Sequence, residues 1–254
     1  MPRSLPIFTA AVVCAFVSRA AEAETPGVLL AESRRRLMSY PALTADLLIR
    51  ADLPSGRVET TGQYVAGPFP RLRTQTAATL AGVSMKSLSV CDGQVLWTVR
   101  ELRTGPESEP DVRVARRDVE RIRQELALEP RTAAQVLSAE MAVGGLPALL
   151  AGLEGAYDFA ESGTAAGSRL LVGRRTVDEG PDGVRVTFDA GTLIPTRVLY
   201  LDEKDGKAVP VLNLELRNIA APPGVDESLF RFTPPRGAEI ANRTDDTLRV
   251  IRGE

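Results

Sequence analysis

The sequence predicts an α+β fold that is mainly antiparallel β, in which a few helices pack on a curved sheet with one apolar face. Three observations support this. Residues 43–53 alternate apolar and polar side chains, which is typical of a strand with one buried and one solvated face. Asp-Gly pairs punctuate the later alternating segments, and this dipeptide favours the tight turns of hairpins. Helical spacing of apolar residues is confined to the N-terminal region and one mid-chain block.

Residues 1–23 have the pattern of a secretory signal peptide. Arg3 precedes a short apolar run at 5–17, and a small-x-small cleavage site ends at Ala23. The apolar run is too short to span a bilayer. We therefore expect an exported protein that is cleaved after about Ala23 and keeps residues 24–254 as a single domain. The alternative is an N-terminal helix that stays attached.

The mature chain is expected to open with a helix followed by a long strand. Residues 27–39 place leucines on one side and arginines on the other, which predicts an amphipathic helix. Pro41 ends this helix, because the residue before a proline avoids helical backbone angles. In 43–53 every odd position is apolar, so the odd side chains are expected to face the core.

Later alternating segments extend the predicted sheet. Strands are predicted at 184–188, 195–201 and 212–216. Turns are predicted at the Asp-Gly pairs 92–93, 182–183 and 205–206, and loops at 104–110 and 220–226. Short strands joined by such turns favour an antiparallel meander over a parallel sheet with crossover helices.

A helical block interrupts the meander. Residues 114–129 predict one amphipathic helix, and residues 132–141 predict a second. Gly144 and Gly145 break this periodicity, and Pro147 is typical of the first turn of a third helix. Because these helices fall between groups of strands, they are expected to fold over the sheet and not to form a separate domain.

The composition excludes the commonest catalytic and metal-binding arrangements. The chain contains no histidine, so no Ser-His-Asp or Cys-His arrangement and no imidazole ligand can form. Cys91 is the only cysteine after the predicted cleavage site, and we interpret it as a small buried hydrophobe. The acidic groups at 178–182 and 202–205 are interpreted as solvated turns. We therefore predict no catalytic residues, no metal, no cofactor and no enzymatic activity.

The formal net charge is −2, which does not provide the basic surface that nucleic acid requires. We accordingly expect no nucleic-acid partner, and we expect a monomer.

The apolar face of the sheet can be used in two ways. The helices either fill it as a dry core or leave part of it open as a ligand cavity, and both arrangements need the same alternation. If a cavity exists, its candidate apolar lining residues lie on the predicted strands and the third helix: Leu43, Leu47, Ile49, Leu72, Leu96, Trp97, Leu146, Leu149, Leu150, Val186, Phe188 and Leu214.

Two segments resemble a known family. Residues 88–97 (LSVCDGQVLW) resemble the SDG-x-x-LW strand-turn-strand of the periplasmic outer-membrane lipoprotein carrier (LolA) family. Residues 226–240 (DESLFRFTPPRGAEI) resemble that family's F-x-F-x-P-P-x-G ending. In this ending Phe230 and Phe232 are expected on one face of a strand, and the Pro-Pro-x-Gly ends strand pairing. The resemblance spans roughly residues 28–241.

The resemblance implies an unclosed half-barrel with helices as a lid over a hydrophobic cavity. In that family the cavity receives lipoprotein acyl chains at the inner membrane and delivers them to an outer-membrane acceptor, which implies a periplasmic location. The family typically has a basic residue that locks the lid where this sequence has Gly67, and Arg71 or Arg73 are the candidates to replace it. Cys91 also stands where a serine is usual.

Three functions are compatible with these patterns. The leading hypothesis is a soluble periplasmic carrier of lipoproteins or other lipids, with an inner-membrane transporter and an outer-membrane acceptor as transient partners. The alternative is an envelope sensor or regulatory module that uses the same half-barrel to bind lipoprotein or a protein partner. An enzyme acting on envelope lipids is disfavoured by the missing histidine and the lack of a nucleophile motif.

Overall fold

The computed structural model describes residues 26–53, 56–127, 144–165, 167–178 and 180–252. The helices of this part of the chain are α1 (Pro26–Ser39), α2 (Val119–Ala127), α3 (Gly145–Ala156) and α4 (Thr244–Arg252), with a 3-10 helix at Glu227–Phe230. The strands are β1 (Leu43–Leu53), β2 (Gly56–Ala66), β3 (Leu72–Leu80), β4 (Val83–Cys91), β5 (Val95–Arg103), β6 (Asp111–Asp118), β7 (Tyr157–Ala165), β8 (Ser168–Arg175), β9 (Gly183–Asp189), β10 (Pro195–Lys204), β11 (Lys207–Ala220) and β12 (Ile240–Asn242).

All of these strands form one curved sheet in the order β12-β6-β5-β4-β3-β2-β1-β11-β10-β9-β8-β7. Every pairing is antiparallel except the short parallel contact between β12 and β6. The two edge strands, β7 and β12, do not pair with each other, so the sheet is an unclosed half-barrel. The predicted fold class is thereby confirmed.

The N-terminal helix and the first strand form where the sequence predicts them. Pro26 opens α1, where its missing N–H is not needed, and the helix ends before Pro41. β1 covers 43–53, and Leu43 and Leu47 of its odd face are buried. Leu48 on the even face is also buried, so burial on this strand is not confined to the odd positions.

Two of the three predicted Asp-Gly turns are confirmed. Asp205 and Gly206 have φ of 52° and 70° and join β10 directly to β11, as a type I′ hairpin requires. The pair at 92–93 joins β4 to β5. The turn predicted at 182–183 is wrong, because β8 already ends at Arg175 and the connection is longer than a hairpin turn.

Asp182 instead holds the end of this connection in place. Its carboxylate accepts hydrogen bonds from Arg175 Nη2 and from the backbone N–H of Glu203, each at 2.9 Å. Asp182 thus belongs to the connection between two strands, in agreement with the sequence interpretation of this acidic residue.

The helix predicted over 114–129 is partly wrong. Residues 114–118 belong to β6, where they pair with β5, and helix α2 begins only at Val119. Val119 and Ile122 are fully buried, as their helical spacing predicted. The helix predicted at 132–141 lies outside the described residues.

The third predicted helix is confirmed as α3. Gly144 and Gly145 have positive φ, of 89° and 80°, and Pro147 lies in the first turn. The apolar face of α3 buries Leu146, Leu150 and Leu153. α3 packs against α1, and together they cover one half of the concave face of the sheet.

This covered half is the dry core of the protein. It joins side chains of α1 and α3 to those of β1, β2 and β7–β11, and Val184, Val186 and Phe188 within it are fully buried. Ser33 Oγ donates a buried hydrogen bond of 2.7 Å to the carbonyl oxygen of Leu193. A 2.8 Å ion pair between Arg34 and Glu154 joins α1 to α3.

Residues 227–239 run across the opposite, convex face of the sheet, and we name them the strap. Phe230 is buried and lies against Gly67, while the ring of Phe232 lies 5.5 Å from that of Trp97. Both rings therefore face the sheet, but the strand predicted here is wrong. The strap is a 3-10 helix followed by unpaired chain up to β12, in keeping with the missing N–H groups of Pro234 and Pro235.

Gly67 and the two nearby arginines serve this strap. A Cβ at Gly67 would lie only 2.9 Å from Cε2 of Phe230. Arg71 forms a 3.1 Å ion pair with Glu227, and Arg73 Nη1 donates to the carbonyl oxygen of Leu229 at 3.4 Å. Both arginines thus contact the strap.

We predict that Gly67→Ala destabilises the protein by about 1–3 kcal/mol, because the added methyl group overpacks the ring of Phe230. Urea unfolding followed by circular dichroism measures this loss. In a Phe230→Ala background the added cost of the substitution should disappear. Gly27→Ala on α1 is the matched control, since a Cβ there has nothing within 4 Å; an equal loss in this control would contradict the explanation.

Candidate ligand-binding cavity

The other half of the concave face encloses a cavity of about 1110 Å³. It lies over β1–β6, with the first turn of α3 on one side and β12 and the start of α4 on the other. The apolar side chains that line it come from the sheet and from α3: Leu47, Ile49, Tyr64, Leu72, Leu96, Leu146, Leu149 and Leu214. The sheet therefore has both a dry core and a cavity, side by side.

Seven of the predicted candidates line this cavity: Leu47, Ile49, Leu72, Leu96, Leu146, Leu149 and Leu214. Leu43, Leu150, Val186 and Phe188 are instead packed in the dry core. Trp97 lies on the convex face, because its neighbour Leu96 points into the cavity and successive side chains of a strand alternate. Contact of any of these residues with a ligand stays a prediction.

Tyr64 is a cavity residue that the sequence reasoning missed. Its hydroxyl oxygen takes part in a hydrogen bond with the backbone of Leu146, and its burial raises the pKa of the phenol to about 12. Tyr64 and Leu72 also lie directly beneath Gly145. A Cβ at this position would lie only 3.2 Å from Cδ2 of Leu72 and 3.3 Å from the hydroxyl oxygen of Tyr64. These contacts set the position of the first turn of α3 over the cavity.

The polar part of the lining was also missed. Hydroxyl groups project from the middle strands at Thr74, Thr76, Ser89 and Thr98. Charged side chains lie beyond them, on β5 and β6, at the end of the strap, and just before and within α4: Arg100, Asp111, Arg113, Arg117, Glu239, Arg243 and Asp246. The sequence of β3 did contain a sign of this polar lining, because residues 73–76 are polar on both faces of the strand.

The lining of the cavity offers apolar surface, hydroxyl groups and charged side chains. In the described ranges, no group of three or more acidic or cysteine side chains is placed to hold a metal ion. Cys91 is fully buried beside Leu72 and Leu96, and its burial raises the pKa of the thiol to about 11. A neutral, buried thiol is a poor nucleophile. No helix of the described chain has the length and apolar character needed to cross a bilayer.

Comparison with known proteins adds a likeness of fold. No family model matches the chain, and no curated protein matches it. A solved DUF1329 family protein from Desulfovibrio piger is similar over 81% of this chain and 95% of its own, with 12% identity and a TM-score of 0.36. A LolA superfamily protein from Nitrosomonas europaea is similar over 82% of this chain and 98% of its own, with 10% identity and a TM-score of 0.29.

The Pseudomonas aeruginosa MucA/MucB complex provides a further similar structure. It matches over 82% of this chain but only 60% of the compared chain, with 13% identity and a TM-score of 0.42. The likeness concerns the fold and assigns no family.

The raised pKa of Cys91 predicts a loss of stability in alkali. The ordinary pKa of 9.0 rises to about 11 on folding, so the buried neutral thiol stabilises the fold below pH 9 and this contribution disappears as the pH rises toward 11. We expect the wild-type protein to lose about 2–3 kcal/mol more than Cys91→Ala over this interval. Urea unfolding titrations of both proteins at each pH measure this difference in the free energy of unfolding. If the unfolding free energies of the two proteins changed in parallel with pH, the prediction would be contradicted.

Proposed function

We propose that the protein is a periplasmic carrier that shields the acyl chains of lipoproteins or other lipids in its cavity during transfer toward the outer membrane. The observation that carries this proposal is the cavity of about 1110 Å³, whose apolar wall is continuous with the dry core through Leu47, Tyr64 and Leu146. Its volume is slightly larger than the roughly 300–1,000 Å³ that small-molecule pockets enclose.

The physical basis of the proposed transport is non-directional desolvation. Moving an acyl chain from water onto an apolar wall is favourable by about 0.8 kcal/mol for each buried CH₂ group. This gain requires no catalytic group, and the absence of histidine from the sequence is compatible with a carrier that performs no chemistry. An inner-membrane transporter and an outer-membrane acceptor would supply and receive the cargo.

Release of the cargo requires part of the cavity wall to move. The first turn of α3 is the part of the wall that contributes Leu146 and Leu149, and it follows Gly144 and Gly145 with their positive φ. Rotation about these two glycines would lift the leucines away from the sheet. This makes the beginning of α3 the proposed gate.

Native mass spectrometry of the protein purified from its own envelope, followed by organic extraction, tests the proposal. We expect a stoichiometric acyl-bearing species. A ligand-free protein that also fails to bind a fluorescent fatty-acyl probe would overturn it. Recovery of a stoichiometric protein in place of lipid would favour the sensor alternative.

We further predict that Ile49→Asp weakens binding of the fatty-acyl probe at least roughly tenfold, because a carboxylate would then face the acyl chain in the cavity. Ile49 lines the cavity and is only partly buried, so the variant is expected to fold. A fluorescence titration measures the dissociation constant.

Val28→Asp is the matched control for this substitution. Val28 is 51% exposed in the first turn of α1, where a carboxylate is favourable. The Val28→Asp variant should therefore bind the fatty-acyl probe as tightly as the wild type. If Ile49→Asp folds and binds the probe as tightly as this control, the cavity is not the acyl site.

A further inference from the structure

The lining of the cavity changes in character across the sheet. Next to β1 and α3 it is aliphatic, and Ile49, Leu149 and Leu214 belong to this part. Hydroxyl side chains of β3–β5, such as Thr74 and Thr98, follow. The end next to β6 and α4 carries four arginines, Arg100, Arg113, Arg117 and Arg243, which we name the arginine end. An amphiphilic lipid shows the same order of chemical character, from its apolar acyl chain to its polar and charged headgroup.

The fold brings these arginines together from three elements. Arg100 of β5 is the register partner of Arg113 of β6, and Arg117 occupies the same face of β6. Arg243 is held beside β6 because its backbone N–H donates to the carbonyl oxygen of Arg116 at 2.9 Å. The hydroxyl of Thr244, the next residue, accepts a 2.9 Å hydrogen bond from the backbone N–H of Asp118.

Carboxylates compensate only part of this positive charge. Arg113 pairs with Asp111 at 2.9 Å, and Arg243 pairs at 3.0 Å with Asp246, which also binds Arg249. Glu239 is the remaining acidic side chain of the lining. Among the residues that the structure describes, Arg100 and Arg117 form no ion pair.

Arg117 is the more confined of these two arginines. It is partly buried, and its burial, followed by the positive charges of Arg243 and Arg100, lowers the pKa of its guanidinium, while Asp246 acts more weakly in the opposite direction. Like charges that face each other across a strand pair are destabilising, as is a partly desolvated cation whose nearby carboxylate is shared with other arginines; Asp246 already pairs with Arg243 and Arg249. An anion bound at the arginine end would relieve both.

We propose that the arginine end binds the anionic headgroup of the lipid whose acyl part lies on the aliphatic wall, so that the protein selects anionic over zwitterionic amphiphiles. The inference rests on the proposed function, since it assigns the headgroup of the same ligand. A charge-assisted contact from a guanidinium to a phosphate is among the stronger hydrogen bonds in proteins. Its planar donor array also orients the headgroup, and with it the direction in which the chain enters.

The test compares lysophosphatidylglycerol with lysophosphatidylcholine of the same acyl chain, below their micellar concentrations, by isothermal titration calorimetry. We expect the wild type to bind the anionic lipid roughly tenfold or more tightly, the size of effect that charge-assisted contacts produce. The double variant Arg100→Gln, Arg117→Gln should bind both lipids equally. Raising the salt concentration should reduce the preference of the wild type.

The matched control is the double variant Arg174→Gln, Arg185→Gln, which removes the same charge from exposed positions on β8 and β9. It should retain the wild-type preference. Equal binding of both lipids by the wild type, or loss of preference in this control, would overturn the headgroup inference and leave the carrier function intact. Failure of both lipids to bind would overturn the carrier function itself.

Inorganic phosphate distinguishes a lipid headgroup from a free anion. We expect millimolar phosphate to leave binding of the anionic lipid within about twofold of its value without phosphate, because the acyl chain contributes most of the affinity. Tight binding of phosphate alone, with loss of lipid binding in its presence, would show a free-anion site and overturn the proposal.

Discussion

Packing of α1 and α3 against one half of the concave face is the interaction on which the rest of this structure depends. A curved sheet with one apolar face must bury that face, and these two helices bury it over β1, β2 and β7–β11. They are held there by the Ser33–Leu193 hydrogen bond and the Arg34–Glu154 ion pair. The concave side of β3–β6, with parts of β1 and β2, is therefore left as the wall of a cavity, and β3–β6 carry its hydroxyl and charged side chains.

The strap on the convex face has a second consequence for the cavity. Phe230 against Gly67 and Phe232 against Trp97 anchor it across β3–β5. The chain then pairs with β6 through β12 and enters α4. Because the strap crosses one face of the sheet and ends at its edge, it delivers Arg243 to the rim of the cavity on the other face. Because the ring of Phe230 packs directly on Gly67, a larger side chain at this position would clash with the strap.

The two proposals use different parts of one cavity. The affinity of the proposed acyl site depends on buried apolar area alone, so it grows with the length of the buried chain. The arginine end would act through the positions and charges of its guanidinium groups, which select the headgroup and orient the lipid. A carrier needs both, because apolar burial does not distinguish one lipid from another, whereas a charged end does.

The sequence by itself determined the elements whose signals are local. The alternation of 43–53, the helical spacing after Pro26 and Gly145, and the Asp205-Gly206 turn depend on nearest neighbours, and the structure contains each of them. The antiparallel, one-sided character of the sheet followed from the same signals. The segment 114–118 was misassigned because its pairing with β5 is non-local, and a helical period continued into it from α2.

Only the tertiary structure decided which apolar residues line a cavity and which fill a core. Leu214 and Val186 follow the same alternating pattern in sequence, yet one lines the cavity and the other is fully buried in the dry core. Burial depends on where α1 and α3 lie, and no residue's own neighbours in the chain encode that position. The arginine end has the same origin, because Arg100 and Arg243 are distant in sequence and meet only when β12 and α4 close against β6.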